Sequence, residues 1–532
     1  MAYFSLLHKV NWKEDLSMRH VFLSFALAIW ASVLQAQSYD LVILNGRVID
    51  PETGLDAVRN VGIDDDKIAA ISEFDMDGAK VIDATGHVVS PGFIDLHAHG
   101  MNVGDMRMQA MQGVTTVLEL ESGILPIADW YEEMETQQTP LNYGASAAWT
   151  FGRIAAFSGE GPEASIDYFQ DAQGRSDWKL QIADPLQAAE LMNHVEQGLK
   201  EGALGIGINA GYAPGYGQKE YFALAQMAAE YGVATYTHVR YASNLEPQSS
   251  FEAIKELIAN AALTGAHMHI CHINSSSLQD IHATLDLVER AQAEGINVTV
   301  EAYPYGAGNT VVGAAMFSGE GWRERMSSTA QNFQLGTDRM TEDELADYQA
   351  NEPGTFITWH FLDEDDPEGL ALLDASVTHP SVMIASDAVF WSYFDENGAI
   401  QNYDGDAWPL PEDVFSHPRS AGAFAKILRS YVRERGLLSL EDAIRKMSLM
   451  PAQTLEDFVP QMRLKGRLQV GMDADIVVFD PETIADLATY ENANQAAVGV
   501  RTVLVNGAMV VDDGALVLDA DAGVPIRRDA AR

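Results

Sequence analysis

Short apolar runs alternate with amphipathic stretches through the middle of the chain, and eight of these runs have the pattern of buried strands. They are GFIDLHAH, GVTTVLELE, GASAAWTF, ALGIGINAG, VATYTHVR, AHMHICHIN, NVTVEAYPY and SVMIASDA. The stretches between them, such as DPLQAAELMNHVEQGLKEG, repeat apolar residues at helical spacing. Buried strands that alternate with helices are typical of a parallel sheet. Eight such units predict an α/β fold, a TIM-type (β/α)8 barrel, with its functional groups at the carboxyl-terminal ends of the strands.

Further β-like segments flank this region on both sides. YDLVILNGRVID near the start and VRTVLVNGAMVV near the end each contain Asn-Gly between apolar runs, which is a turn signal. We expect these flanks, residues 37–90 and 462–532, to pair into one small β-sandwich domain. The barrel then spans residues 91–461, and the long connection around 306–380 is expected to carry a lid or a substrate-binding insertion.

The first 36 residues are predicted to be a signal peptide. The run from Val21 to Leu34 is apolar, Arg19 precedes it, and Ala36 suits a cleavage site. A membrane anchor is the alternative interpretation, and Met18 is an alternative start of translation. Cleavage would make this a secreted or periplasmic bacterial protein.

The amino-acid composition of the chain limits the classes of binding partner. The 77 acidic and 33 basic residues give a net charge of −44. Such a chain repels nucleic acids and anionic membrane surfaces, so we expect no nucleic-acid partner and no stable membrane association. The hydrophobic content of 47% argues against disorder. Cys271 is the single cysteine, which excludes an intrachain disulfide.

Residues that bind metals stand at the ends of five of the eight runs. Two histidines close the first run, and their period-two spacing places both side chains on one face of a strand. A single strand histidine is more often a core residue, but strand ends converge at the mouth of a barrel. The candidate ligands are His97, His99, Glu121, His238, His272 and Asp387.

Two of these positions leave alternatives open. Glu119 and Glu121 share a strand face, and we favour Glu121 as a ligand that bridges two ions because it lies nearer the strand end. Glu119 would then form an ion pair with a basic neighbour. Asp387 ends an apolar strand, where an unpaired carboxylate is costly. We expect it to be both a ligand and the catalytic proton shuttle, and a helix cap is the alternative.

This donor set predicts a metal-dependent hydrolase. Neutral imidazoles and carboxylates suit zinc, with one or two ions per chain, and manganese, cobalt or nickel are alternatives. A divalent ion lowers the pKa of a bound water to about 7 and polarises a carbonyl group. Such chemistry cleaves amides, including cyclic ones.

Ten motifs spread along the chain form a specific combination. They are SPGFIDLHAHG, GVTTV, GALGIGINAGYAPG, THVR, CHINSSS, EAYPYGAG, ASDA, HPRSAGAFAKIL, MSLMPAQ and GMDADIVVFDP. Through them the chain resembles the amidohydrolase superfamily and, within it, the N-acyl-D-amino-acid deacylases (D-aminoacylases). The resemblance implies that Tyr303 and Arg419 hold a substrate carboxylate. It also suggests that Arg240 serves the same end and that Tyr212 lines the pocket or polarises the scissile carbonyl.

Three positions depart from that branch. Ser122 stands where the branch has a metal-binding cysteine, so we infer that Glu121 replaces the thiolate and that a site for two metals is plausible. Asn274 replaces a lysine that helps to bind the substrate carboxylate, and Asn309 replaces a serine. The altered carboxylate site makes dipeptides or differently charged acyl compounds credible substrates.

The sequence therefore predicts hydrolysis of a linear amide, foremost deacylation of a small N-acyl-D-amino acid or a related N-acyl or peptidyl amino acid. A dipeptidase or a cyclic-amide hydrolase is the enzymatic alternative. A noncatalytic barrel that assembles with partners is the remaining one, although such proteins usually lose the ligands that this chain keeps. Homo-oligomerisation stays open.

Overall fold

The computed structural model describes residues 38–528 of the 532-residue chain. The predicted signal peptide lies outside the described residues. Within 38–528, no helix combines the length and the apolar character needed to cross a bilayer.

Eight parallel strands form the central barrel, and each overlaps one of the eight predicted runs. Strands that are adjacent in the sequence are also adjacent in the sheet. The first and eighth strands meet just beyond their ends, where the His99 N–H donates to the Ala388 carbonyl at 2.7 Å. The TIM-type fold is thus confirmed. The strands are Phe93–Asp95, Val114–Ile124, Asn142–Ala148, Gly205–Asn209, Ala234–His238, His267–Ile270, Val298–Ala302 and Val382–Ile384.

Helices follow the strands. The helix Pro185–Lys200 illustrates why they form where they do: Asp184 caps its first N–H groups, and Leu191, Val195 and Leu199 recur every fourth residue on its buried face. The other helices of eight residues or more are Val103–Ala110, Ile127–Met134, Trp149–Ser158, Gln218–Tyr231, Ser250–Thr264, Ile281–Ala293, Glu342–Asn351, Pro367–Thr378, Arg419–Lys426 and Leu440–Met447. The shorter ones include Ile166–Ala172, Asp177–Leu180, Ile273–Ser277, Trp322–Arg325 and Leu449–Leu455.

Both flanks contribute to one nine-stranded sheet, as the pattern of short strands predicts. The flanks join where Val88–Pro91 pairs antiparallel with Ile476–Phe479. The long strand Ser38–Asp50 has three partners, so the sheet curls around a core of its own. The remaining strands are Leu55–Asp64, Lys67–Ser72, Asp77–Asp83, Val500–Val505, Ala508–Asp512 and Ala515–Leu516.

The long connection after the seventh barrel strand contains a small antiparallel sheet. Its strands are Ala307–Val311, Phe333–Leu335, Asp338–Arg339 and Phe356–His360. The helix Pro367–Thr378, which falls within the predicted insertion of 306–380, instead packs against the eighth barrel strand. The inserted sheet brings Asn309, Thr310 and Trp359 to the mouth of the barrel.

Candidate metal centre and substrate cavity

Glu121 occupies the centre of the histidine cluster at the mouth of the barrel. One carboxylate oxygen, Oε1, lies 2.7 Å from His272 Nε2 and 3.1 Å from His238 Nδ1. The other, Oε2, lies 3.4 Å from His97 Nε2 and 3.6 Å from His99 Nε2. A single carboxylate therefore faces two pairs of imidazoles, one pair with each oxygen.

Asp387 also faces the imidazoles of His97 and His99. Its Oδ1 lies 3.4 Å from His97 Nε2 and 3.3 Å from His99 Nε2. Its Oδ2 forms an ion pair with Arg419 Nη1 at 2.8 Å. The backbone φ of Asp387 is 53°, in the left-handed region that L-residues rarely adopt. This strained geometry at the end of the eighth strand turns the carboxylate toward the histidines.

The buried loops that carry these groups are tied together by Asp95, which ends the first barrel strand. Its Oδ1 accepts the N–H of Ser386 at 3.0 Å and the N–H of His97 at 3.2 Å. The first and eighth strand ends, and hence His97 and Asp387, are thereby held at a fixed separation. Burial raises the pKa of Asp95 to about 6, although these hydrogen bonds oppose the rise.

The charges of the buried carboxylates in this cluster strongly favour the binding of cations. Burial alone would lower the pKa of His99, but Glu119 and Asp387 raise it to about 10. Burial alone would raise the pKa of Glu121, but the charges of His97, His272 and His238 lower it well below its ordinary value. The buried carboxylates therefore stabilise cations in their midst, whether protons or metal ions.

The donor atoms fit a divalent metal. Two overlapping groups, His97–Glu121–His272 and His97–His99–Asp387, bring one donor atom of each residue within 4.8 Å of the others. Imidazole nitrogens and carboxylate oxygens are the ligands that zinc takes in hydrolases. Since Glu121 directs one oxygen at His272 and His238 and the other at His97 and His99, the arrangement suits two neighbouring ions.

Comparison with known proteins agrees with this fold. The amidohydrolase family model matches residues 80–376 and 400–511, which is most of the chain. This chain belongs to the amidohydrolase family.

Relatives of this amidohydrolase include two proteins of Alcaligenes xylosoxydans xylosoxydans. An N-acyl-D-glutamate deacylase is 28% identical and is aligned over 89% of this chain and 94% of its own. A D-aminoacylase is 28% identical over 93% of this chain and 99% of its own. A crystal structure of a D-aminoacylase, 24% identical in sequence, superposes with a TM-score of 0.72 over 92% of this chain and 100% of its own.

Glu119 and Glu121 occupy different positions in the amidohydrolase site. Its Oε2 lies 2.7 Å from His99 Nδ1, the ring nitrogen that points away from the cluster. Its Oε1 accepts the backbone N–H of Ser122 at 3.1 Å. The structure therefore places Glu121 among the histidines and Glu119 behind one of them.

Three of the four residues predicted to bind substrate lie together beside this centre: Tyr212, Tyr303 and Arg419 line one small pocket. The Arg419 guanidinium lies 4.8 Å from the centre of the Tyr303 ring. Apart from the Asp387 ion pair, its N–H groups have no aligned acceptor among residues 38–528, although the side chain is only 1% exposed. The Tyr303 hydroxyl also lacks a partner in this part of the chain. Buried unpaired donors are costly, so the pocket is suited to an anionic ligand.

Arg240 is the exception. Its predicted role at the carboxylate site is wrong because its side chain lies elsewhere. Its Nη2 pairs with Glu256 at 2.9 Å, and its guanidinium stacks on Tyr216 at 3.5 Å from the ring centre. It does not line either of the cavities that contain Glu121. Its position two residues beyond His238 gave no information about side-chain direction.

Asn274 also lies outside both cavities. Its Nδ2 donates to the carbonyls of Tyr303 and Tyr305 at 3.1 and 3.3 Å, so it supports the backbone of the YPY segment. Asn309, by contrast, lines the pocket, and its Oδ1 has no hydrogen-bond partner. Of the two replaced polar positions, only Asn309 contacts the cavity.

A larger cavity of about 300 Å³ adjoins the small pocket. It shares His99, Glu121, Tyr212 and Asn309 with the small pocket. Its walls are largely apolar and are formed by Met101, Ile124, Trp130, Met134, Phe151, Ile166, Phe169, Phe356 and Phe390. The two spaces together can hold a ligand with an anionic end, a central reacting group and an apolar end.

The sequence interpretation missed several residues that hold the site. Asn209 Nδ2 donates to Glu121 Oε2 at 3.0 Å, and Glu301 lies against His97. A carboxylate inside the apolar run NVTVEAYPY was the available signal for Glu301, because such a group needs a buried partner. Cys271 also lies beside His97, but burial raises the pKa of its thiol well above the ordinary value. A protonated thiol is a poor metal ligand.

Proposed function

We propose that this amidohydrolase removes the acyl group from N-acyl-D-amino acids. The observation that carries the proposal is that two adjoining cavities share part of the Glu121-centred cluster. Arg419, whose one ion pair among the described residues is with Asp387, lines the small pocket. Apolar residues line the larger cavity, and His99 and Glu121 line both. Relatives named as D-aminoacylase and N-acyl-D-glutamate deacylase support the D configuration.

Each part of the substrate has a matching part of the site. Arg419 and Tyr303 bind the carboxylate, since a guanidinium fork pairs with two carboxylate oxygens. The scissile amide then lies beside Glu121 and Asp387, and the apolar acyl end of the substrate extends into the larger cavity. The hydroxyl groups of Tyr212 and Thr310 form a hydrogen bond of 2.8 Å, in which either can be the donor. Tyr212 forms the wall between the two spaces.

The metal ligands that we propose are His97, His99, Glu121, His238, His272 and Asp387, with zinc as the expected ion. When bound, a divalent metal polarises the amide carbonyl and makes a water molecule acidic near neutral pH. Asp387 accepts the proton of the attacking water and returns it to the leaving nitrogen. Arg419 holds Asp387 in place through the ion pair at 2.8 Å.

A dipeptide with a free amino group is the second candidate substrate, and the charge of the larger cavity favours it. Among the described residues, its lining contains no lysine or arginine but includes Asp105, Glu133 and Asp404. Asp105 is 5% exposed, and burial raises its pKa to about 8, so its carboxyl group is largely neutral near pH 7 unless a cation lies beside it. An aminoacyl group could place its ammonium near these acids, whereas an N-acetyl group could not. Relatives named dihydroorotase keep cyclic amides as a further candidate.

The proposal is tested by assaying purified protein against N-acetyl-D-amino acids, their L isomers, dipeptides with a D residue at the carboxyl end, and dihydroorotate. We expect hydrolysis of D compounds with an apolar side chain or acyl group. Chelation and dialysis should abolish activity, and zinc should restore it. Full activity in protein shown by elemental analysis to be free of metal would contradict the mechanism, and preference for L isomers would contradict the substrate class.

We also propose that the protein is exported and that its mature form begins near Gln37. The apolar run after Arg19 supports this. Mass spectrometry of the protein isolated from its own cells should give a mass lacking the first 36 residues. An intact Met1 or Met18 would contradict it.

A further inference from the structure

A second carboxylate, that of Glu301, contacts His97 on the side away from the proposed metal site. Its Nδ1 lies 2.5 Å from Glu301 Oε1, and both side chains are 1% exposed. Its Nε2 points the other way, toward Glu121 and Asp387 at 3.4 Å each. One ring nitrogen therefore faces the proposed metal site, and the other faces Glu301.

Glu301 is itself the second link of a longer chain of buried contacts. Its Oε2 lies 3.0 Å from His269 Nε2. The other nitrogen of that ring, Nδ1, lies 2.8 Å from the Thr299 hydroxyl, which is also 2.8 Å from His267 Nε2. We call these five side chains, from His97 to His267, the barrel chain. His267 and Thr299 line a cavity of about 530 Å³ on the far side from the metal centre.

The topology explains why these side chains meet. His267 and His269 alternate along the sixth barrel strand, and Thr299 and Glu301 alternate along the seventh. Residues two apart point to the same face of a strand, and these two strands are paired with His269 opposite Thr299. The four side chains therefore form a ladder along the inside of the barrel.

One arrangement of protons satisfies every link. A carboxylate can only accept, so both His97 Nδ1 and His269 Nε2 must donate to Glu301. A neutral His269 then accepts at Nδ1 from the Thr299 hydroxyl. The hydroxyl oxygen in turn accepts from His267 Nε2. The chain thus has one direction, and that direction leaves the lone pair of His97 Nε2 pointing into the metal site.

We propose that Glu301 is a positioning residue that fixes the tautomer and ring orientation of His97, and that His269 and Thr299 hold Glu301 in the orientation this requires. The inference rests on the proposed role of His97 as a metal ligand. Partners that bind the distal nitrogen of a ligating histidine typically change metal affinity or activity by 10- to 100-fold when they are removed.

Glu301→Gln tests the proposal because it keeps the shape but replaces one acceptor oxygen with a donor. One of the two histidines must then turn its ring or move its proton. We expect the affinity of metal-free protein for zinc, measured by competition with a chromophoric chelator, to fall by about 10- to 100-fold. Thr299→Val, which removes only a distant link, should lower the affinity less than Glu301→Gln does.

Glu220→Gln is the matched control. Glu220 is also a buried glutamate, 7% exposed, and it pairs with Arg153 at 2.6 Å away from the metal site. Its replacement should lower the melting temperature and leave zinc affinity unchanged. Equal zinc affinity in wild type and Glu301→Gln would overturn the inference. A wild type that binds no zinc would instead overturn the proposed function.

A measurement on wild-type protein covers the case in which Glu301→Gln does not fold. Neutron diffraction from deuterated crystals of the zinc-loaded enzyme locates the protons on the histidine rings. We expect a deuteron on Nδ1 of His97, directed at Glu301, and one on Nε2 of His269. The absence of a deuteron from both of these ring nitrogens, or a His97 ring turned away from Glu301, would contradict the proposal.

Discussion

Replacing Glu121 with glutamine is the most informative perturbation of the metal centre. The side chain is buried, and its two oxygens face all four histidines at 2.7 to 3.6 Å. Glutamine preserves the shape but removes the negative charge, and its amide nitrogen must face one of the two imidazole pairs. A donor directed at a nitrogen that should bind metal competes with the ion for the same lone pair.

The size of the effect follows from the charge. A unit charge acting on another at 4 Å contributes about 4 kcal/mol at an effective dielectric constant of 20, which corresponds to roughly 1,000-fold in affinity. A divalent ion increases the figure, whereas water and the remaining oxygen ligand offset part of it. We therefore expect zinc affinity to fall by roughly 100- to 1,000-fold, with a parallel loss of kcat.

The assay combines elemental analysis with chelator competition. Wild type should contain about two ions per chain, because Glu121 directs one oxygen at each of two pairs of imidazoles. Glu119→Gln is the control on the same strand. Since Glu119 faces Nδ1 of His99 and the backbone of Ser122, its replacement should lower the melting temperature and reduce zinc affinity by about 10- to 100-fold, less than Glu121→Gln does. Wild-type zinc content in Glu121→Gln, or an equally large loss in Glu119→Gln, would refute the assignment of Glu121.

Three further predictions concern the neighbouring residues. Asp387→Asn should lower kcat by roughly 100- to 10,000-fold while retaining more metal than Glu121→Gln, and an unchanged kcat would exclude a role in proton transfer. Arg419→Lys keeps the charge but loses the two-pronged contact, so KM for N-acyl-D-amino acids should rise more than kcat falls; steady-state kinetics would reveal an unaltered KM if Arg419 does not bind the carboxylate. The folded-state pKa of His99, about 10, lies above the ordinary 6.5, so its stabilisation of metal-free protein is complete below pH 6.5 and is lost as the pH rises through about 10. Thermal denaturation of metal-free protein should show this decline, zinc binding near pH 7 should release protons, and a melting temperature that rises over the same interval would contradict the sign.

The eight barrel strands could be predicted because a strand buried on both faces must be apolar along its length. The same reasoning located the ligand candidates, since a polar residue at the end of such a strand stands out. Glu301 lies inside a strand rather than at its end, and its partner His97 is 204 residues away in the sequence. Pairing of this kind depends on how the barrel closes, so a single sequence does not reveal it.

Arg240 shows the opposite failure. A position just beyond a strand end places a residue near the barrel mouth but does not determine where a long side chain points. The side chain is directed by Glu256 and Tyr216, which offer an ion pair and an aromatic face. Arg419 follows a proline at the start of a helix, and its buried surroundings supply Asp387 as the one charged partner within 4 Å among the described residues. The two arginines were equally good candidates by residue type, and only tertiary packing separates them.

The replacement of a cysteine by the neighbouring Glu121 raises a geometric question, because successive residues on a regular strand point to opposite faces. The strand Val114–Ile124 is not regular here. Its register with the third barrel strand shifts between Glu119 and Ile124, and Gly123 has a φ of 66°. The irregularity lets Ser122 line the cavity while Glu121 remains among the histidines, and Asn209 Nδ2 reaches both side chains, at 3.0 Å for Glu121 Oε2 and 3.2 Å for Ser122 Oγ. The carboxylate can take a position next to the one where the resemblance implies a thiolate because the backbone bulges and the longer side chain spans the remaining distance. A strand bulge of this kind leaves no periodic signal in the sequence, so the proposed ligand could be inferred from the chain alone, whereas the backbone geometry that places it among the histidines could not.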